Sequence, residues 1–442
     1  MKTIIPAQEH ILQVLGKPAK GDTYRLMYSV VRKDVPEGVL LFHMMTGELL
    51  LLTCGEYEHR YELPALYEKW FLVPEKTDDC KLIDQARAVL RMMRKKTGHI
   101  TGYTVFTTTE CNARCFYCYE KGIRQHRMSA ETALETVEFI ARNCGGEPVR
   151  LRWFGGEPLY NAAVIDIITN ALRERNITFR SNMISNGYLL NAETVKKAKE
   201  QWKLTNVQIT LDGTRDVYNR TKAYIYEDGG DPFETVLSNI GSCLENGIRV
   251  NVRMNMTEAN AQDLKELVRQ LSKRFGENPY LSVYSAVLFQ IAHGDSNHAA
   301  EVNVWQRELE ERIIECHLNN KGPLPKGIRL NSCMADNENS VTVLPDGRLG
   351  CCEHDVDTTI LGNIREGITD KAAAESYREL TPREEACAHC FYYPVCVKLK
   401  KCEAQPCTAH FREILLINTG EKIKNAFFSK AVCGEETDTG NC

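Results

Sequence analysis

No run of apolar residues in this chain is long enough to cross a bilayer, which takes about 20 in a helix. The most apolar region, residues 39–54, is interrupted by His43 and by Thr46-Gly47-Glu48. Residues 1–10 also lack the apolar core and cleavage-site pattern of an export signal. There is no basic excess either, with 55 lysines and arginines against 59 acidic residues and a net charge of −4. Phosphate-rich partners demand a dense Lys/Arg face. These absences argue against membrane insertion, nucleic acid and an anionic membrane as partners, and they point to the cytoplasm.

Cysteine, by contrast, is abundant, at 18 residues. A short exported chain would use so many for disulfides. In 442 residues without an export pattern, thiols grouped at metal spacings read as ligands in a reducing compartment. Cys54, Cys80, Cys144, Cys243 and Cys316 stand singly in apolar or helical context and read as buried structural thiols. A hydrophobic content of 43% supports two or three domains with full cores.

The densest group is Cys111-Asn112-Ala113-Arg114-Cys115-Phe116-Tyr117-Cys118, directly after an apolar strand. A [4Fe–4S] cluster takes four thiolates, so a loop offering three leaves one iron open to another ligand. A zinc knuckle is the other reading. Zinc wants a fourth ligand close by, and no Cys, His or Asp follows until His126.

The stretch resembles the cluster loop of the radical S-adenosylmethionine (SAM) enzymes. The resemblance implies that the methionine moiety of SAM chelates the open iron and that one electron cleaves SAM to a 5′-deoxyadenosyl radical. An electron donor such as flavodoxin or ferredoxin is then required. Tyr117, the aromatic before the last cysteine, would line the adenine pocket.

From residue 101 to about 320 the chain alternates strands and helices. Strands are expected at 102–109, 149–154, 178–185, 206–211, 249–256 and 281–290, and helices at 130–143, 162–175, 191–202, 233–246, 261–275 and 302–318. Six β–α units mean a parallel sheet, with functional groups at the carboxyl ends of its strands. The expected fold is therefore α/β, a partial (β/α)6 TIM-like barrel, which is also what the resemblance implies.

The second strand ends in Gly155-Gly156-Glu157-Pro158, where glycines permit close backbone approach and a carboxylate can accept from an ammonium group. In the resembled family this segment holds the amino group of SAM. Ser185-Asn186 after the third strand and Thr210 with Asp212 after the fourth match segments bordering the SAM ribose and carboxylate. Arg253 on the fifth strand is a candidate for that carboxylate; an ordinary salt bridge is the alternative.

Residues 1–100 read as a small α+β domain, with strands at 23–33 and 39–52 and helices at 56–69 and 79–95. It resembles the winged-helix-like domain with which peptide-modifying enzymes bind a leader peptide by strand addition. A structural cap on the barrel is the alternative.

Residues 327–410 carry the second set of thiols. Cys333 is followed by thirteen residues, Gly347, four residues and Cys352; then come Cys387-x2-Cys390-x5-Cys396, Cys402 and Cys407. This resembles the SPASM extension, which implies two auxiliary [4Fe–4S] clusters and a peptide substrate. By that analogy Cys387, Cys390, Cys396 and Cys407 hold one cluster, and Cys333, Cys352 and Cys402 the other. Cys402 comes six residues after Cys396, where the resembled pattern has four. Cys351 is a candidate fourth ligand, although neighbours on a strand face opposite ways; an open iron or a zinc ribbon are the alternatives. Between these thiols, residues 341–349 read as a hairpin around Pro345-Asp346-Gly347. After Cys352 stands Glu353-His354-Asp355, where anaerobic sulfatase-maturing enzymes carry an Asp as base, so Glu353 is the candidate catalytic carboxylate. Residues 411–442 are expected to form a helix and then, from 432, a disordered polar tail.

The expected activity is a radical SAM/SPASM maturase that cross-links a ribosomally made precursor peptide with a leader. A sulfatase-type maturase is the runner-up, and a zinc-bearing peptide adaptor without catalysis is the reading from another class.

Overall fold

In the computed structural model of the chain, residues 1–94, 96–225, 230–288, 296–319, 322–354, 358–402 and 407–435 are described. The first unit runs β1 (Lys2–Ile5), α1 (Glu9–Leu15), β2 (Tyr24–Leu26), β3 (Val30–Val35), β4 (Gly38–His43), β5 (Leu49–Leu52), α2 (Cys54–Glu58), α3 (Pro64–Glu68), β6 (Leu72–Pro74) and α4 (Asp79–Met93). Four strands form an antiparallel sheet in the order β1-β5-β4-β3. The expected strand at 39–52 is a hairpin, because Gly47 takes φ +75 in the turn between β4 and β5. The expected helix at 56–69 is broken, because Pro64 cannot continue a helix and instead opens α3. β1, α1 and β6 carry too few residues of one period to be read from the sequence.

Both faces of this sheet are covered. Leu41, Leu50 and Leu52 pack with Leu66 and Phe71 on one side; Val31, Leu40 and Phe42 pack with Ile423 and Phe427 of the last helix on the other. His43 is fully buried between them. The Met45 amide donates to its Nδ1 at 3.2 Å, so the ring proton sits on Nε2, which faces the Trp70 carbonyl at 3.0 Å. Burial holds its pKa down at about 4, partly offset by the Trp70 carbonyl. A depressed base stabilises the fold above its unfolded pKa of 6.5 and loses that contribution as pH falls through 4. We expect stability to drop by roughly 3 kcal/mol across that window through this group, and a His43→Gln variant to show a flatter urea-midpoint profile between pH 7 and pH 4. Equal slopes in the two proteins would refute this.

The barrel follows as β7 (Gly102–Thr108), α5 (Ala130–Asn143), β8 (Val149–Gly155), α6 (Ala162–Glu174), β9 (Phe179–Ser185), α7 (Ala192–Glu200), β10 (Leu204–Thr210), α8 (Arg215–Lys222), α9 (Pro232–Glu245), β11 (Arg249–Met256), α10 (Ala261–Phe275), β12 (Leu281–Val287) and α11 (Ser296–Glu315). All six strands are parallel and adjacent in chain order. The end of the expected sixth strand, residues 289 and 290, lies outside the described residues. α8 was not expected, since among its residues Tyr218 and Lys222 alone are buried.

The sheet does not stop at the barrel. β13 (Ser340–Val343) pairs parallel with β7, and β14 (Arg348–Gly350), β15 (Gly362–Asn363) and β16 (Gly367–Ile368) extend it to ten strands. A short α12 (Lys371–Ser376) and a long α13 (Ala409–Glu435) complete the chain. The expected tail at 432 is helical as far as 435; the rest of it lies outside the described residues.

α4 ties the first unit to the cysteine-rich region. Arg87, 5% exposed, donates to the carbonyls of Arg329, Tyr393, Pro394 and Cys396. Arg91 donates to Leu330 O, and Arg94 to Asn331 and Asn339. Carbonyls inside a loop need donors, and three arginines on one helical face supply them. Among the described residues no helix is long and apolar enough to cross a membrane.

Candidate functional site

β7 delivers Cys111, Cys115 and Cys118 to the carboxyl end of the sheet, each partly exposed. The loop is held from the side. The Arg114 amide donates to Lys222 O at 2.8 Å and the Ile225 amide to Asn112 O at 3.0 Å. Asn186 Nδ2 donates to Asn112 Oδ1 at 2.6 Å. Below the loop lies a buried ion pair, Lys222 Nζ to Asp212 Oδ2 at 3.0 Å, with side chains 3% and 1% exposed. The Tyr117 hydroxyl donates to Asp212 and accepts from Lys222 at 2.9 Å. Burial pulls the Lys222 pKa down, but Asp212 and the neighbouring Tyr117 and Cys115 outweigh it and hold the ammonium charged.

β8 reaches the loop through two glycines. A Cβ on Gly155, at φ +131, would lie 2.0 Å from Thr108 O, and one on Gly156 would lie 2.5 Å from Glu110 O. These glycines let β8 cross the end of β7. Glu157 is fully buried, and its oxygens accept from Ser185 Oγ at 2.9 and 3.1 Å and from the Asn186 and Leu159 amides at 2.8 and 3.1 Å, so it braces the end of β9. Burial raises its pKa to about 7 against those donors. Pro158 is buried and its carbonyl accepts from Thr107 Oγ1 at 2.8 Å.

Thr210, Arg253 and Tyr284 stand in register across β10, β11 and β12. Arg253 Nε donates to Asn255 Oδ1 at 2.9 Å. Among the described residues no carboxylate pairs with it, so the salt-bridge alternative is not realised.

The second set of thiols falls into two groups. Cys352 has Cys333 and Cys402 as electrostatic neighbours; Cys396 has Cys390, Cys407 and Cys387. Cys351 is 7% exposed and lies in the barrel's apolar core with Val341, Val343 and Leu349, and Cys352 is partly buried against the same core. Glu353 reaches the barrel, where Arg152 Nη1 donates to its Oε2 at 3.2 Å. His354 stacks on Tyr119 with ring centroids 4.4 Å apart; Asp355 lies outside the described residues.

Whether these residues suit an iron–sulfur cluster is tested by their chemistry. Asn112 Nδ2 and Glu120 Oε1, in and just after the cysteine loop, are buried polar atoms without a partner among the described residues, a cost that a bound group would relieve. Burial pushes the Cys111 thiol up to about 12, so metal binding there would have to deprotonate it. Among the described residues no three His, Cys, Asp or Glu side chains converge on a single ion position.

Residues 105–271 match the radical SAM superfamily. The chain carries a radical SAM domain. The GTP 3′,8-cyclase of Clostridium perfringens (strain SM101 / Type A) is 25% identical over 301 residues, covering 64% of this chain and 90% of that protein. The Fe-coproporphyrin III synthase of Methanosarcina barkeri is 29% identical over 160 residues, 36% of this chain and 37% of its own length. Among solved structures, native anSMEcpe with bound AdoMet and Cp18Cys peptide aligns with a TM-score of 0.53 and 17% identity, covering 74% of this chain and 98% of that one. At that identity the likeness is one of fold.

In this radical SAM domain, sequence reasoning missed Asn112, Glu120, Arg152 and Lys222. Asn112 sits inside the recognised loop, and nothing in its sequence distinguishes a buried amide from a turn residue. Lys222 follows ten residues after Asp212 in a polar segment, and only folding turns it inward.

Proposed function

We propose that this radical SAM enzyme is a cytoplasmic maturase that forms a thioether or carbon–carbon cross-link in a ribosomally made, cysteine-containing precursor peptide. The observation that carries the reading is the gathering of Cys333, Cys352 and Cys402 into one group and Cys387, Cys390, Cys396 and Cys407 into another. In this reading residues 1–100 recognise the leader, 101–326 form the barrel, 327–410 hold the auxiliary clusters, and 411–442 are the C-terminal region, whose Ile423 and Phe427 pack on the first unit. β1 and β3 end their sheet without a further strand partner, so a leader segment can be added there as a strand.

Cys111, Cys115 and Cys118 would hold the SAM-binding cluster, and the other two groups the auxiliary clusters. When bound, the cluster and SAM supply a 5′-deoxyadenosyl radical that removes hydrogen from a substrate carbon. Tyr117, Gly155, Gly156, Ser185, Asn186, Thr210, Asp212 and Arg253 border the space for SAM. Glu353, oriented by Arg152, would take the proton, and an auxiliary cluster would take the electron, that leave the substrate radical as the cross-link closes. Reduction relies on an electron donor such as flavodoxin or ferredoxin.

The test is anaerobic reconstitution and incubation with a cysteine-containing candidate precursor, read by mass spectrometry. A product two hydrogens lighter supports the cross-link. An aldehyde that reacts with hydroxylamine would instead make the enzyme sulfatase-maturase-like, the second reading, which the fold of anSMEcpe favours. In a Glu353→Gln variant we expect 5′-deoxyadenosine to form while cross-linked product falls about a hundredfold, the usual worth of a positioned acid–base group. Unchanged product formation would remove Glu353 from that role.

A further inference from the structure

The two outer groups of thiols lie beside charges of opposite sign. Asp336, 5% exposed, stands against Cys333 and accepts its amide at 2.9 Å together with the Ser332 amide at 2.7 Å. Glu353 stands beside Cys352. Arg152 pairs with Glu353 at 3.2 Å. Arg91, a neighbour of Asp336, spends its donors on Leu330 O, at 2.7 and 3.2 Å.

The other group meets cations. Arg412 Nη1 donates to Cys407 Sγ at 3.4 Å, and Arg87 donates to the carbonyl of Cys396 at 3.3 Å. Lys398 lies near Cys407 and Cys387. Two of these three cations are matched, Lys398 by Glu384 at 2.8 Å and Arg87 by Asp84 at 3.1 Å. Arg412 is not: among the described residues no carboxylate lies within ion-pair distance of it, and its neighbour Glu384 is engaged by Lys398. Arg412 also falls in the first turn of α13, where the helix dipole disfavours a cation. A thiolate at Cys407, just ahead of that turn, would answer both the guanidinium and the dipole.

The reduced form of an iron–sulfur cluster carries one more negative charge than the oxidised form. A nearby cation, or an N–H on a cluster sulfur, therefore favours reduction and raises the potential. A buried carboxylate lowers it.

We propose that Arg412 sets the redox order of the two auxiliary clusters, holding the cluster of Cys387, Cys390, Cys396 and Cys407 at the higher potential, so that a single electron given to the pair rests there. The proposal rests on the reading above that both groups of thiols hold [4Fe–4S] clusters. The cluster of Cys333, Cys352 and Cys402, beside Glu353, is thereby kept oxidised and ready to accept.

The test is an anaerobic potentiometric titration followed by electron paramagnetic resonance. It uses the reconstituted full chain carrying Cys115→Ala, which removes the signal of the cluster at Cys111, Cys115 and Cys118 and leaves about eight irons. We expect two one-electron steps. Adding Arg412→Gln should shift the upper equilibrium about tenfold towards the oxidised form, a fall of about 59 mV in its midpoint, and leave the lower step in place. Arg412→Lys should keep most of the upper midpoint, and Asp336→Asn should raise the lower midpoint alone. An unmoved upper midpoint in Arg412→Gln at full iron content, or movement of the lower step instead, overturns the proposal. Loss of iron from Arg412→Gln makes the residue a support for the loop and overturns it too. Zinc in place of the eight irons overturns the cluster reading itself.

Discussion

A Cys115→Ala protein is expected to make no 5′-deoxyadenosine under conditions where wild type turns over, and to hold about four fewer irons per chain. The loop offers three thiols, so removing one leaves a cluster with half of its usual four thiolate ligands. The fold should survive, because the loop's anchors are elsewhere. They run from Arg114 N to Lys222 O, from Ile225 N to Asn112 O, and from Asn186 to Asn112. Iron and sulfide analysis after anaerobic reconstitution, with chromatography of the nucleoside product, decides the matter. Wild-type turnover in the variant would show that the loop does not carry the radical chemistry.

Lys222→Met is expected to destabilise the protein by about 3–5 kcal/mol, the cost of leaving a buried charge uncompensated. Asp212 is 1% exposed and keeps two further ties, the Tyr117 hydroxyl and the Asn255 amide at 3.2 Å. Neither neutralises it. The double variant Lys222→Met/Asp212→Asn removes both charges and should recover a large part of the loss, since a buried pair is worth far less as a whole than one broken partner suggests. Chemical denaturation of the three proteins measures this. Equal stability of single variant and wild type would mean that water reaches the pair and that Tyr117 is held by other contacts.

The barrel was legible because each β–α unit carries two periodicities that both favour it. Val250, Val252, Met254 and Met256 mark one face of β11, and Leu264, Leu267, Val268 and Leu271 mark one face of α10. The cysteine loop was legible because ligand spacing is local. What is not legible is whatever depends on a distant partner. Nothing local to Glu157 reports that β9 arrives with Ser185 and Asn186 to donate to it. Cys351 and Cys352 look equivalent in sequence, and only the fold separates the buried Cys351 from the partly exposed Cys352. α8 has almost no apolar face, so its place is set by two buried residues, Tyr218 and Lys222, too few for a hydrophobic pattern to report.

β13 hydrogen-bonds to β7 along four registered residues, Ser340 to Val343 against Gly102 to Val105. In the intact chain the strand that leads to Cys111 is therefore an interior strand. Cutting the chain before residue 327 would turn it into an exposed, parallel-paired edge made of Tyr103, Val105 and Phe106, all fully or nearly fully buried in the intact protein. Such an edge recruits other chains. The region that supplies the extra thiols thus also covers the edge of the strand that leads to the cysteine loop.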